Sequence, residues 1–261
     1  MTQTASALTR ISEILNRLLD PESGCPWDRK QTPHTLKTYL LEEIYELLEA
    51  IEGKDTSAIK DELGDCFFLL AFISRLFEAG GQFDLEEALD AAAEKIIRRH
   101  PHVFGETPPL SGADEVKEKW HELKQKEKRT GNYLASVPRS LPALMRAHRL
   151  SERAGRMGFD WSEPVKVLET LEKEMAELKD ALTQQVQSRI SSELGDLLFT
   201  LANLARHLNV NGEEALQAAN SRFENRFNYI EKKLAARGQS LAEATLAEMD
   251  RLWVEAKAKG L

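Results

Sequence analysis

Apolar residues recur along the chain at steps of three and four positions, which is the spacing of one face of an α-helix. Alternation of Val, Ile, Thr and Tyr with polar residues, which is typical of strands, is nearly absent, whereas Ala, Leu, Glu, Lys and Arg are abundant. The sequence therefore predicts an all-α protein, and each apolar stripe is expected to face a core. The clearest stripes are Leu40, Ile44, Leu47, Leu48 and Ile51; Leu63, Phe67 and Leu70; and Leu171, Met175, Leu178 and Leu182.

Clusters of proline and glycine mark the ends of the predicted helices. They occur at residues 20–26, 80–81, 106–112 and 131–142. At 261 residues, the chain is long for one compact domain and suits two modules of about 130 residues each. Residues 131–142 are the predicted linker between these modules, which comprise residues 1–130 and 131–261.

Four acidic residues recur at one constant displacement, 131 residues further along the chain. The text around them is also repeated, since residues 61–65 read DELGD and residues 192–196 read SELGD. Four acidic positions that share one displacement are unusual for a merely charged helix, so the sequence indicates a duplicated helical module. The two sets are Glu43, Glu46, Glu62 and Asp65, and Glu174, Glu177, Glu193 and Asp196.

Each set of acids is expected to meet at the seam between two neighbouring antiparallel helices. Residues three apart lie on one helix face, with Cβ atoms about 5–6 Å apart, and the acids lie at the flank of the apolar stripes. Four carboxylates gathered at such a seam repel one another, and a divalent cation would relieve the repulsion.

The ligand type favours magnesium. Oxygen ligands suit Mg²⁺, Ca²⁺ or Mn²⁺, and Mg²⁺ commonly joins a few carboxylates to substrate phosphates. A di-iron bundle would have Glu-x-x-His on two helices, whereas Asp65 and Asp196 stand at the fourth position here.

Basic pairs and isolated tryptophans are candidate contacts for a phosphate-bearing ligand. Arginine can hold two phosphate oxygens at once, and a tryptophan can stack on a base or close a pocket. With the acids, these residues point to hydrolysis of a metal-bound phosphoanhydride, and the absence of a GxxxxGK loop disfavours an ordinary P-loop enzyme. Surface ion pairs and core packing are the alternative roles. The residues are Lys95, Arg99 and Trp120 in the first half, and Arg222, Arg226 and Trp253 in the second.

Composition and charge limit the classes of function. Acidic residues outnumber basic ones by 43 to 35, which argues against a protein that coats nucleic acid through phosphate neutralisation. The two cysteines, Cys25 and Cys66, cannot form a zinc site by themselves. The longest apolar run, residues 66–73, is far shorter than the about 20 residues that span a bilayer, and no export signal is evident. The sequence thus predicts a cytoplasmic protein without a membrane segment.

Several segments resemble the signature of MazG-type nucleoside triphosphate pyrophosphohydrolases. Residues 41–46 (LEEIYE), followed by residues 62–65 (ELGD), resemble its EExxE…ExxD motif, and residues 24–28 (GCPWD) and 98–104 (RRHPHVF) are also similar. The resemblance covers essentially the whole chain, including its tandem arrangement. It implies two all-α modules of four-helix-bundle type, assembled as a homodimer with sites near helix interfaces.

The resemblance also implies an activity. Members of the family hydrolyse nucleoside triphosphates to the monophosphate and pyrophosphate, with Mg²⁺ as cofactor and Mn²⁺ as a substitute, often with broad base tolerance and in nucleotide-pool housekeeping. Carried onto this chain, the resemblance makes the eight repeated acids metal ligands and catalytic residues. Arg222, Arg226 and Trp253 then match the positions that hold the phosphates and the base in the second half, with Lys95, Arg99 and Trp120 as the candidates in the first.

The second half departs from the signature at one position. Glu42 and Glu43 of the first half correspond to Lys173 and Glu174, so the leading acid is missing. Two interpretations stay open: the second site holds fewer metal ions, or Lys173 contacts a phosphate.

Gly64 and Gly195, within the repeated ELGD text, lie inside predicted helices. Glycine there is less stable than alanine by about 1 kcal/mol. Close helix approach, access to the metal and tight local packing are the three explanations.

Two other classes of function are compatible with the sequence. One is a non-catalytic, duplicated helical scaffold that dimerises and binds a protein partner through its acidic faces. The other is a carboxylate-bridged oxidase. A scaffold releases no pyrophosphate and an oxidase carries iron, whereas the favoured interpretation requires Mg²⁺-dependent release of pyrophosphate and nucleoside monophosphate.

Overall fold

The computed structural model describes residues 3–105, 112–113, 115–116, 119–120, 123 and 133–261. All regular elements within these residues are helical, which confirms the all-α prediction. In the same residues, no helix combines the length and the apolar composition needed to cross a membrane. The predicted loop at 106–112 lies outside the described residues except for Gly112, and so do residues 131 and 132 of the predicted linker.

The chain divides into two compact units, Met1–Arg129 and Thr130–Leu261. Each unit contains a hairpin of two long helices. The first unit includes α1 (Gln3–Leu18), a 3₁₀ turn (Asp28–Lys30), α2 (Pro33–Gly53), α3 (Thr56–Ala79), α4 (Leu85–Arg99) and the single turn α5 (Pro101–Phe104). The second unit includes α6 (Ala143–Arg156), α7 (Pro164–Gln184), α8 (Gln187–His207), α9 (Gly212–Ala235), a 3₁₀ turn (Leu241–Glu243) and α10 (Leu246–Ala258).

Local capping chemistry sets the ends of the α2–α3 hairpin. Thr32 caps α2 by accepting a hydrogen bond from a backbone N–H of the first turn, where Pro33 also lies. Lys54 ends α2 in the left-handed conformation, with φ of 56°. Asp55 then caps α3 by accepting from two backbone N–H groups of its first turn. With only two residues between them, α2 and α3 run antiparallel and pack along much of their length.

The sequence repeat is a repeat of this hairpin. In the second unit, α7 and α8 also pack along each other and are joined by two residues, Gln185 and Val186. Gln185 is left-handed, with φ of 55°, and it lies 131 residues after Lys54, the same displacement that relates the acids.

The apolar stripes do not all face the core of their unit, which corrects the sequence-based expectation. On α3, Leu63, Phe67 and Leu70 are 44%, 53% and 50% exposed, and Met175 and Leu182 on α7 are exposed as well. α3 is apolar on two faces, and only one of them packs against α1 and α2, so periodicity identified apolar faces without showing which are covered. The buried clusters are Leu15, Leu36, Leu69, Ala71 and Phe72 in the first unit, and Ile230, Leu234 and Leu252 in the second.

An ion-pair network joins the segment before α7 to the end of α8. Arg206 Nη2 donates to Asp160 Oδ1 at 2.5 Å, and His207 Nε2 lies 2.9 Å from the same oxygen. Partial burial would raise the pKa of Asp160, but the hydrogen bonds and charges of Arg206 and His207 outweigh it and hold that pKa below its usual value.

We therefore expect D160N to lower the free energy of unfolding by about 1–3 kcal/mol at pH 7, because a charged hydrogen-bond acceptor is lost. Asp160 is more acidic in the folded than in the unfolded state, so its contribution is complete above about pH 4 and is lost as the pH falls through the folded pKa. Urea titrations at pH 7 and pH 3 should thus show a difference that shrinks in acid. D61N, at an exposed ion pair of 3.9 Å with Lys60, is the control and should change little.

Candidate metal centres

The α2–α3 hairpin gathers three carboxylates in the first unit. Glu43 on α2 and Glu62 and Asp65 on α3 each offer an oxygen, and these oxygens all lie within 4.8 Å of one another. Glu43 and Glu62 are half-buried, and Asp65 is exposed. These three residues are called the first cluster below.

Charge repulsion is already evident in the first cluster. Burial raises the pKa of Glu43 above its usual value, and the negative charges of Asp65, Glu46 and Glu62 raise it further. Glu46 is outside the group of mutually close oxygens but near enough to add to its negative field. A cation placed among these groups would remove the repulsion.

The α7–α8 hairpin gathers a different selection of the repeated acids. Glu174, Glu177 and Glu193, called the second cluster below, offer oxygens within 4.8 Å of one another, and all three are half-buried. Asp196 is exposed and lies outside this group. Burial and the charge of Glu177 raise the pKa of Glu174, Asp196 adds to the effect, and Lys173 opposes it.

Two basic residues lie against the second cluster. Lys173 Nζ is 3.0 Å from Glu177 Oε1, and this hydrogen bond raises the pKa of Lys173. Arg189 Nε is 3.9 Å from Glu193 Oε1, and its Nη1 also pairs with Asp180 at 3.2 Å. Sequence reasoning missed Arg189, although its position four residues before Glu193 on a helix was a readable signal.

Both clusters fit a hard divalent cation. Their ligands are carboxylate oxygens, which Mg²⁺, Ca²⁺ and Mn²⁺ prefer. Metal–oxygen distances are about 2.0–2.6 Å, so ligands on opposite sides of one ion lie about 4–5 Å apart. Oxygens within 4.8 Å of one another can therefore bind the same ion.

Gly64 and Gly195 leave open space beside the clusters. A Cβ atom built at either position would meet no atom within 4 Å. Within the described residues of one chain, neither a neighbouring helix nor local packing therefore requires a glycine at these positions. Access for a ligand to the neighbouring acids and close approach of a helix from a second copy of the chain stay as explanations.

In each unit, one of the predicted arginines lies against the predicted tryptophan. Arg226 lies over the Trp253 ring, with its guanidinium carbon 5.3 Å from the ring centroid, and Arg99 lies over Trp120 at the same distance. Arg226 Nε also donates to the backbone oxygen of Leu261 at 2.7 Å. In the described part of the second unit, no hydrogen bond or ion pair joins Arg222, Arg226 or Trp253 to the second cluster. Lys95 lies on α4, four residues before Arg99.

Comparison with known proteins finds one family at both hairpins. Residues 31–104 and 163–230 each match the MazG nucleotide pyrophosphohydrolase domain, and these ranges contain the two hairpins. The nucleoside triphosphate pyrophosphohydrolase of Escherichia coli (strain K12) is 41% identical over 96% of this chain and 97% of its own length. The nucleoside triphosphate pyrophosphohydrolase/pyrophosphatase MazG of Thermotoga maritima is 38% identical over 98% of both chains.

A crystal structure of a mazG-related protein from Thermotoga maritima covers 45% of this chain and 98% of that chain, with 32% sequence identity and a TM-score of 0.39. The domain match at both hairpins and the two full-length relatives carry the assignment. This chain belongs to the MazG nucleotide pyrophosphohydrolase family, whose members are hydrolases that act on phosphoanhydride bonds.

Proposed function

We propose that this protein hydrolyses nucleoside triphosphates to nucleoside monophosphate and pyrophosphate, with Mg²⁺ as its metal and Mn²⁺ as a substitute. The observation that carries the proposal is the repeated convergence of three carboxylates within 4.8 Å in a chain of this family. The relatives from Escherichia coli and Thermotoga maritima, which align over nearly the whole chain, are named for this reaction.

The residues that would hold the metal are the first and second clusters, with Glu46 and Asp196 close enough to act electrostatically. When bound, the ion would neutralise the negative charge of phosphate oxygens and would activate a water molecule as the nucleophile. Through the ion that they would hold, the acids would orient the triphosphate so that water adds to phosphorus and the bridging P–O bond between the α- and β-phosphates breaks. Attack on the α-phosphorus expels pyrophosphate, and attack on the β-phosphorus expels the nucleoside monophosphate, so both routes give the same two products. Arg222 and Arg226 would balance the charge that develops on pyrophosphate.

Broad base tolerance and a role in nucleotide-pool housekeeping are part of the proposal. The Trp253 ring packs against Phe223 and the buried cluster of the second unit and has the Arg226 guanidinium over it, so a base would stack in place of that guanidinium. Such stacking discriminates little between bases because every base has a π-face. A cytoplasmic location suits this role, and Cys25 and Cys66 are free thiols.

A substrate panel tests the function directly. Purified protein is incubated with ribo- and deoxynucleoside triphosphates and Mg²⁺, and the products are separated by ion-exchange chromatography. Pyrophosphate and monophosphate in equal amounts are expected for several bases, whereas diphosphate with inorganic phosphate would contradict the proposed bond cleavage. No turnover with any nucleotide would favour a scaffold, and stoichiometric iron with oxygen consumption would favour an oxidase.

We also propose a homodimer, because each unit leaves an apolar helix face exposed. On α8, Leu194, Leu198 and Leu201 are 45%, 48% and 41% exposed, and Phe67 and Leu70 are exposed on α3. Leu194, Leu198 and Leu201 follow one another at steps of four and three, so they share one face of α8, and an exposed apolar face is typical of protein interfaces. Sedimentation equilibrium is expected to give a mass of twice 29.5 kDa, and L198E should shift the protein towards the monomer. A mass of 29.5 kDa at high protein concentration would contradict the dimer.

A further inference from the structure

The two acidic clusters differ in the charge that accompanies them. Glu42 precedes Glu43 in the first unit, whereas Lys173 precedes Glu174 at the corresponding position of the second. The Lys173 ammonium lies 3.0 Å from Glu177, which belongs to the second cluster. In the described part of the first unit, ion pairs join Lys60 to Asp61 and Arg75 to Glu78, and no ion pair there involves the first cluster or Glu42.

This difference changes what a divalent cation meets in each site. At the first cluster it meets three acids that form no ion pair with any of the described residues. In the second unit, the cation must share the Glu177 carboxylate with the Lys173 ammonium or displace that ammonium. The displaced ammonium stays within a few ångströms of the site because its side chain is attached to the same helix, and its positive charge repels the cation. Arg189, 3.9 Å from Glu193, acts in the same sense.

A triphosphate reverses the effect of Lys173. Lys173 and Glu177 are 68% and 40% exposed in their side chains, so the ammonium is free to turn away from the carboxylate towards an incoming anion. An exposed ion pair of this kind adds little to folding stability, so Lys173 can be replaced without loss of the fold. When the metal binds together with a triphosphate, the phosphate oxygens can therefore pair with the Lys173 ammonium after the metal has displaced it from Glu177.

We propose that Lys173 is a built-in cation of the second site that lowers its affinity for free divalent ions below that of the first site. Metal binding in the second site then depends on the triphosphate, whereas the first site takes up the ion alone. This inference rests on the proposed function, since it takes both clusters as metal sites.

The test is a Mn²⁺ titration of the full chain without nucleotide, in which electron paramagnetic resonance measures the concentration of free Mn²⁺. E62Q disables the first cluster and reports the second, and E193Q does the reverse. The first site is expected to bind Mn²⁺ about tenfold or more tightly than the second, as two unit charges a few ångströms apart can produce. Adding K173E to E62Q should raise the affinity of the second site about tenfold, with K173M intermediate.

Two matched variants separate the local charge from general effects. K166E makes the same substitution on α7, at a lysine that is paired with Glu169 at 2.8 Å. Lys166 lies about 10 Å from Lys173 along the helix axis, towards the N-terminus of α7. K166E should leave Mn²⁺ affinity within about twofold, because surface charges at that distance are largely screened. E42K, combined with E193Q, introduces the lysine into the first unit and should weaken Mn²⁺ binding there.

The outcomes distinguish this inference from the proposed function. Mn²⁺ binding at neither site would overturn the metal-dependent function and the inference with it. Equal affinities at the two sites, or equal effects of K173E and K166E, would overturn the inference alone. If K173E does not fold, as judged by circular dichroism, K173M and E42K decide it. A non-hydrolysable α,β-methylene triphosphate is expected to tighten Mn²⁺ binding more at the second site than at the first, and the opposite order would count against Lys173.

Discussion

The double variant E62Q/E193Q is expected to release pyrophosphate from nucleoside triphosphates about 100- to 1,000-fold more slowly than the unchanged protein, or not at all. Each substitution replaces a carboxylate by a neutral amide in a cluster whose oxygens lie within 4.8 Å of one another, and so weakens one of the proposed metal ligands. Glutamine keeps the size and helix preference of glutamate, so the loss is one of charge and of metal affinity. Initial rates at saturating Mg²⁺ provide the measurement.

A matched double variant excludes a general effect of charge. Glu52 on α2 and Glu231 on α9 are exposed and lie outside both clusters. E52Q/E231Q makes the same change in net charge, and its rate should stay within about twofold of the unchanged protein. Circular dichroism should show equal helicity for all three proteins. Normal turnover by E62Q/E193Q would remove both clusters from the catalytic mechanism.

The second large effect is expected from R226A, which should lower kcat/KM about 10- to 100-fold, because the charged hydrogen-bond donor that we propose for the triphosphate is lost. The Arg226 guanidinium lies over Trp253 and gives one N–H to the oxygen of Leu261. A guanidinium has five N–H groups, so donors remain for phosphate oxygens. If Arg226 contacts the bound substrate and the transition state equally well, R226A should raise KM and leave kcat nearly unchanged.

R226K separates the charge from the planar fork of arginine. Lysine keeps the charge but makes point contacts, so its kcat/KM should lie between those of R226A and the unchanged protein. R237A removes an exposed arginine from the turn after α9 and should have little effect. An unchanged kcat/KM in R226A would mean that the pairing of Arg226 with Trp253 is structural only.

The duplicated hairpins show how much the sequence could predict. Helical spacing and the 131-residue displacement of the acids predicted two helical modules with acids at a helix seam, and the all-α class is confirmed. The caps at Thr32 and Asp55 were not among the predictions, although each depends only on neighbouring residues. Capping and helical spacing depend on residues within a few positions of each other, so they could be inferred without the fold.

Other features had no local signal. Phe67 and Leu70 have the spacing of a core stripe, yet they are exposed while Leu69 and Phe72 are buried. The pairing of Asp160 with Arg206 joins residues 46 positions apart and could not be inferred from either segment. These contacts depend on which helix packs against which face.

Local spacing was thus sufficient to identify the helices, the duplication and two groups of four acids. The fold was needed to select the three acids in each group that share a 4.8 Å neighbourhood, with Asp65 included in one unit and Asp196 left out of the other. It was also needed to bring Arg226 onto Trp253. The physical reason is that spacing along a helix encodes direction around its own axis, whereas distances between side chains on different helices depend on how the helices rotate and pack against each other.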